Sequence, residues 1–354
     1  MTNFAQSVTG PIARTELGST LMHEHILCDL RNPALRREAD EQAIWPAILL
    51  ENRFQVDYFQ NRNQHNMLLD EDTVALAELR KFKEAGGGTI VDLTTGGLAP
   101  QPARLAELSS ASGVNVVLGA GFYVEDYLPD EIRRASIEAF QELIEKQLGE
   151  GAWGTPIRCG LIGEIGCSWP LTDCERRMLS AAARAQGRTG AALTIHPGRH
   201  PDAPAEIAEV IVAAGGDPNR TVIGHMDRTI FDRERLLALL HRGFVLEWDF
   251  FGIETSQYWM AGVDLDLPTD YMRLDLIHDL MGLGFSERIT VSHDICTKTR
   301  LTSYGGHGYG HLIAHVVPLA LRRGWREEEI EQLLVATPAR LLCFLSGPAA
   351  NNHE

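Results

Sequence analysis

His23 and His25 flank Glu24 at the end of an apolar run, STLMHEH. Glu164 ends LIGE, His196 ends ALTIH, His225 ends VIGH and Asp294 ends ITVSHD. Imidazole nitrogen and carboxylate oxygen together suit zinc first, with manganese, iron, cobalt or nickel also admissible. A lone strand-end histidine is usually a hydrogen-bonded core residue, and a lone buried carboxylate is usually paired with a cation. Four histidines and two carboxylates gathered in one place do not yield to that reading. Buried without metal, the carboxylates would be uncompensated charges costing several kcal/mol each, and two divalent cations offset that cost. Glu164 is placed to bridge such a pair, one oxygen to each ion. With Asp294 and a bridging hydroxide as the other anions, the ligands carry less charge than the ions, so the centre stays electrophilic. A pair of this kind lowers the pKa of the water between its ions and polarises an ester, lactone, amide or phosphoryl oxygen. Asp294 is placed both to ligate and to accept the proton of the water.

These residues need a scaffold that brings strand ends together. Strand-like runs occur at 19–25, 89–94, 115–120, 157–164, 191–196, 221–225, 244–250 and 288–294. Several are continuous apolar runs, as strands covered on both faces are. Helical spacing lies between them: Ala75, Leu79 and Phe82 form one stripe, and Met178, Ala181, Ala182 and Ala185 another. The second follows a cap signal, Thr172 with Glu175 three residues on. Eight strands alternating with helices predict an α/β fold, a (β/α)8 barrel formed by the whole chain, 1–354, as a single domain. Residues 26–70 are too long for one loop and are expected as an insertion over the barrel mouth, with closing helices at 325–344. In a barrel the C-terminal strand ends converge on the face where active sites are built. Period two turns His23 and His25 the same way.

Composition narrows the partners. Hydrophobic residues make up 44% and charged residues 23%, as in ordinary globular proteins, which excludes wholesale disorder. The net charge of −16 repels phosphate backbones and argues against nucleic acid. The uncharged run 301–321 holds four glycines, three histidines and a proline, so it is no membrane span. Six cysteines without a Cys-x-x-Cys pair, and an N-terminus without a secretory pattern, predict reduced thiols in the cytoplasm. A small-molecule substrate is therefore expected. Arg228 after the sixth strand, and Lys298 and Arg300 after the eighth, stand where substrate would arrive and are candidates for recruiting an anionic tail. Trp248 and Asp249 are placed to orient the ligating histidines. His307, His311 and His315 are spaced to line one helix face but lack the glutamate of HExxH. Gly86-Gly87-Gly88 is followed by no Lys-Ser/Thr and is no phosphate loop.

The motifs TGPI…LGSTLMHEH, TIVDLTTGG, GAGFY, CGLIGEIG, LTIHPG, VIGHMDRT, VSHD and ATPARLL run through nearly the whole chain. Together they resemble the phosphotriesterase-related (resiniferatoxin-binding/phosphotriesterase) family of the amidohydrolase superfamily. The resemblance implies a binuclear metal centre in a distorted barrel. His23, His25 and Asp294 match the ligands of its more buried metal, and His196 and His225 those of the exposed one. Tyr123 matches the tyrosine that lactonase relatives place near the attacked carbonyl, a candidate electrophilic helper. Phosphotriesterases and lactonases bridge their metals with a carbamylated lysine, where this chain has Glu164. Phosphotriesterases place a histidine after the aspartate of strand seven and lactonases an arginine, where this chain reads Asp249-Phe250. The resemblance is compatible with a homodimer. The resulting expectation is a binuclear metal-dependent hydrolase that attacks a carboxyl ester, lactone or amide with a metal-bridging hydroxide. The alternatives are phosphotriester hydrolysis and non-catalytic binding of a small ligand on the same fold.

Overall fold

Short runs of β-branched and aliphatic residues form eight parallel strands in the computed structural model, which describes residues 3–31, 46–58, 63–255, 258–260 and 263–345. They are β1 (Ser19–Glu24), β2 (Gly87–Asp92), β3 (Asn115–Ala120), β4 (Leu161–Gly166), β5 (Leu193–His196), β6 (Thr221–Ile223), β7 (Val245–Trp248) and β8 (Ile289–Val291). Each strand pairs in parallel with the next in sequence order, giving one sheet that curls from β1 to β8. Helices lie between them, α1 (Asp72–Glu84), α2 (Pro102–Ser112), α3 (Ile137–Gly149), α4 (Asp173–Thr189), α5 (Ala203–Ala213), α6 (Arg233–His241) and α7 (Asp270–Leu280). The predicted cap of α4 is present, with Thr172 accepting from Glu175 N–H and Glu175 accepting from Thr172 N–H. None of the described helices is long and apolar enough to cross a membrane.

Alternation along the strands separates two apolar layers. Val91, Val117, Leu161, Ala192, Val222 and Val245 fill the barrel interior, and Ala339, Leu341 and Leu342 join them from the last helix (Thr337–Leu342). Ile90, Val116, Leu118, Ile162, Leu193, Ile195, Ile223 and Leu246 belong to the larger layer packed with the helices. The 26–70 insertion contributes a short antiparallel pair (Cys28–Asp29 with Leu68–Leu69) and a helix, Arg53–Tyr58; its residues 32–45 and 59–62 lie outside the described set.

Two strands break the alternation where the chemistry needs it. Met22 belongs to the interior layer, so strict period two would turn His23 outward. A register irregularity between Leu21 and Glu24 shifts the phase, and His23 and His25 both reach the mouth. On β4, Ile162 and Ile165 both belong to the helix-side layer although they are three residues apart. The irregularity between them turns Glu164 inward. Gly163 permits it: its φ is +107°, and a Cβ there would lie 2.1 Å from the carbonyl oxygen of Thr194.

Side chains close the seam between β8 and β1. Ser292 Oγ lies 2.8 Å from His23 O and accepts from His23 N–H at 3.0 Å, and Asp294 N–H donates to His23 O at 3.1 Å. Glu24 clamps the same segment. Its Oε1 lies 2.8 Å from Ser292 Oγ and accepts from His293 N–H at 2.9 Å and His293 Nδ1 at 2.8 Å, while Oε2 accepts from Ile295 N–H at 2.8 Å. These donors are buried, and each would be stranded if the carboxylate were removed. Glu24→Ala is therefore expected to cost at least about 3 kcal/mol of folding stability, the scale of several unsatisfied buried donors. Denaturant titration of the two proteins measures it, and a loss under about 1 kcal/mol would contradict the clamp.

Candidate metal centre

Glu164 sits at the middle of the mouth, buried, with four histidines around it. Oε2 lies 3.3 Å from His23 Nε2, 3.0 Å from His196 Nδ1 and 3.7 Å from His225 Nε2. Oε1 lies 3.5 Å from His25 Nε2. Asp294 Oδ1 approaches His25 Nε2 at 3.3 Å and His23 Nε2 at 3.8 Å. His225 Nε2 and His196 Nδ1 are 2.7 Å apart and point at common space. All six residues singled out in the sequence are thus brought together. One group of donor atoms from His23, His25 and Asp294 lies within 4.8 Å of one another, and a second comes from His23, Glu164 and His225.

The donor set fits divalent cations on two counts. Neither ring nitrogen of the buried His23 completes a hydrogen bond, although Nε2 faces Glu164 and Asp294. The charges also demand a cation. Burial would raise the Glu164 pKa, but the fields of His23 and His196 hold it well below the carboxylate range, so it is ionised. Burial would likewise lower His25, yet Asp294 and Glu164 lift it to about 9. His196 goes the other way, to about 3, through burial and the neighbouring His225. A neutral imidazole beside an ionised carboxylate is a ligand set.

A layer of residues aims these ligands. Asp249 Oδ1 takes His225 Nδ1 at 2.9 Å, and Oδ2 takes His225 N–H at 2.8 Å and lies 3.1 Å from His23 Nδ1. His25 Nδ1 lies 3.0 Å from Thr94 Oγ1. His225 and Asp294 both hold positive φ, +57° and +50°, conformations that cost non-glycine residues about 1–3 kcal/mol and concentrate at functional sites. Trp248, paired with Asp249 in the sequence reading, instead packs in the helix-side layer.

Above these side chains is a recess walled by Tyr123, Phe250, Tyr258, Arg199 and Arg228 among others. The Tyr123 ring stands edge-on to His196, centroids 5.0 Å apart. The three sequence-selected cations part company. Arg228 reaches the recess. Arg300 lies behind Asp294, with Nη1 on its backbone carbonyl and 3.5 Å from Oδ2, and its guanidinium covers Phe250 at 5.5 Å. It also lines a separate open cavity of about 550 Å³ with His307 and His311. Lys298 is buried against Glu71 at 2.6 Å and Asp70 at 3.7 Å, outside the recess. His311 pairs with Asp270 at 2.7 Å, and the metal-ligand groups among the described residues include none of His307, His311 and His315. The sequence reading missed Arg199, Tyr258 and Glu24. Arg199 had a usable signal, since it follows the strand-end His196 by three residues, in the loop where barrel enzymes place substrate-facing groups.

Fold and centre define a hydrolase barrel of the kind whose strand ends carry paired metals. The chain belongs to the phosphotriesterase family, whose sequence profile matches residues 3–342. It is 42% identical over 344 residues to an N-acetyltaurine hydrolase of Salmo salar, across 96% of this chain and 97% of that protein. It is 41% identical over 345 residues to a phosphotriesterase-related protein of Nematostella vectensis, across 96% and 98%. The crystal structure of a resiniferatoxin-binding protein from Rhodobacter sphaeroides superposes with a TM-score of 0.89 at 35% identity, covering 96% of this chain and 95% of that one.

If Glu164 bridges, neutralising it removes the anion between two cations that repel strongly at such separations. Glu164→Gln is expected to fall from two equivalents of metal per chain to about one, read by elemental analysis after reconstitution with zinc. Two equivalents retained with most of the turnover would rule out the bridge.

Proposed function

We propose that this chain cleaves a small N-acyl amide of the N-acetyltaurine type, with a pair of zinc ions held by His23, His25, Glu164, His196, His225 and Asp294. The observation that carries the reading is the convergence of those six side chains on Glu164 beneath a recess walled by Tyr123, Phe250, Arg199 and Arg228. Relatives named as N-acetyltaurine hydrolases, alike over nearly the full length, support the amide. Two divalent ions in such a centre polarise a carbonyl and acidify water.

The rest falls to the chain. Glu164 holds the two ligand sets in register. Asp294 accepts a proton from the attacking water as the new C–O bond forms, and returns it to the nitrogen as the C–N bond breaks. The products are a carboxylate and a free amine. Burial pushes the Tyr123 hydroxyl well above its ordinary pKa, so it stays protonated and donates to the oxygen on which charge develops. Phe250 and Tyr258, 5.2 Å apart, cover the recess with rings that keep water from the acyl group.

The zinc-reconstituted protein is expected to release acetate and taurine from N-acetyltaurine without added bicarbonate, since Glu164 needs no carbamylation. Asp294→Asn is expected to lower kcat by at least about 10²-fold while leaving the far-ultraviolet spectrum unchanged. An Asp294→Asn protein with full metal content and near-normal turnover would remove Asp294 as the proton carrier. Cleavage of lactones with no cleavage of any N-acyl amide would sink the amide reading.

A further inference from the structure

Arg228 is buried at 2% exposure in the wall of the recess, and among the described residues it makes no ion pair. The other buried arginines show what is missing. Arg273 is paired with Asp227 and Asp270, and Arg300 with Asp294. Arg220 spends its guanidinium on the carbonyls of Arg340, Leu341 and Cys343. Arg228 has one carbonyl, Pro197 O at 3.1 Å, and a distant hydroxyl, Thr229 Oγ1 at 3.4 Å. Its Nε has no hydrogen-bond partner, and among the described residues no carboxylate lies within 4.0 Å. Asp249, whose field reaches it, is committed to His225.

Its remaining neighbour sharpens the point. Nη2 lies 3.2 Å from His196 Nε2. His196 turns Nδ1 toward Glu164 and His225, so a metal held there would leave the ring hydrogen on Nε2. In the metal-loaded protein two donors would then face each other across 3.2 Å. Arg199 lines the same recess and adds a second positive charge. A guanidinium stays cationic at neutral pH even when buried.

We propose that Arg228, with Arg199 beside it, is the seat of the anionic end of the substrate, and that the recess selects amides carrying a sulfonate or carboxylate over neutral ones. The assignment rests on the amide reading above for which bond is cleaved, but the anion seat stands on charge alone. A sulfonate offers three acceptor oxygens, enough for the Arg228 fork and, in the metal-loaded protein, for a His196 Nε2–H as well. Seating that end beside His196 holds the acyl end over Glu164 and Asp294.

The test uses zinc-loaded wild type, Arg228→Met and Arg228→Lys, with N-acetyltaurine, its neutral analogue N-acetylethanolamine, and ethanesulfonate as a non-cleavable probe. In Arg228→Met the ratio of kcat/KM for the charged over the neutral amide should fall at least about tenfold, the scale of one charge-assisted hydrogen bond, with partial recovery in Arg228→Lys. Ethanesulfonate should raise the Tm of wild type and not of Arg228→Met. Without ligand, Arg228→Met should melt at or above wild type, because it removes a buried charge that lacks a partner. A ratio within about twofold of wild type, or equal stabilisation of both proteins by ethanesulfonate, overturns the proposal. So does a lowered Tm with ethanesulfonate binding intact, which would make Arg228 structural. If wild type leaves N-acetyltaurine uncut yet ethanesulfonate stabilises it and not Arg228→Met, the amide reading falls and the anion seat survives. Cleavage of N-acetyltaurine with no sulfonate effect in any variant gives the reverse.

Discussion

The Glu164 carboxylate is shut off from water and surrounded at 3.0–3.7 Å by the nitrogens of His23, His25, His196 and His225. Asp294 adds a second buried anion to the same space, and Asp249 and Glu247 lie beneath it against His23. A carboxylate in such surroundings is tolerable only with cations close by. The chain answers this in part without metal: it keeps His25 protonated up to about pH 9 and pushes Glu247 up to about 7 by burial. A ligating imidazole must be neutral, so a metal held by His25 would displace its proton. The same charge density explains why the mouth is so heavily braced, with the Ser292 seam, the Glu24 clamp and the Asp249 bonds all lying next to a ligand.

The barrel and the cluster of six side chains were legible because both depend on local pattern. A strand buried on both faces reads as an apolar run, and a ligand at its end interrupts that run with a histidine or an acid, as in LTIH and VIGH. What local pattern hides is phase and closure. Period two gives the right outcome for His23 and His25 but for an incomplete reason, because the strand is irregular between Leu21 and Glu24 and Met22 faces the interior as well. Glu24 stands in the same HEH motif and passed unremarked. Its partners are 268–271 residues away, and no spacing rule connects them.

The three cations chosen from the sequence show the same limit from another side. Position after a strand end placed all three near the mouth, but their work is set by which carboxylates the fold brings to them. Lys298 meets Glu71 and Asp70, and its backbone N–H bonds Asn66 O, so it ties the loop after β8 to the 26–70 insertion. Arg300 meets Asp294 and supports a residue held at positive φ. Arg228 meets none among the described residues.

That difference bears on substrate choice. Phe250 puts an apolar ring directly after Asp249, and it packs against His225 at 5.4 Å and Tyr258 at 5.2 Å. The recess wall is therefore apolar on the β7 side and cationic on the β5–β6 side, where Arg199 and Arg228 follow their strands. A neutral, symmetric ester would leave the guanidinium of Arg228 desolvated and unpaired. A compound with a polarised acyl group at one end and an anion at the other satisfies both walls together, and it can lie in the recess in only one direction. Binding energy collected at the charged end then orients the bond to be cleaved, which is the use of a remote contact that raises turnover rather than affinity alone. On an acidic chain of net charge −16, the local cations Arg199 and Arg228 are also what admits an anion that the surface as a whole repels.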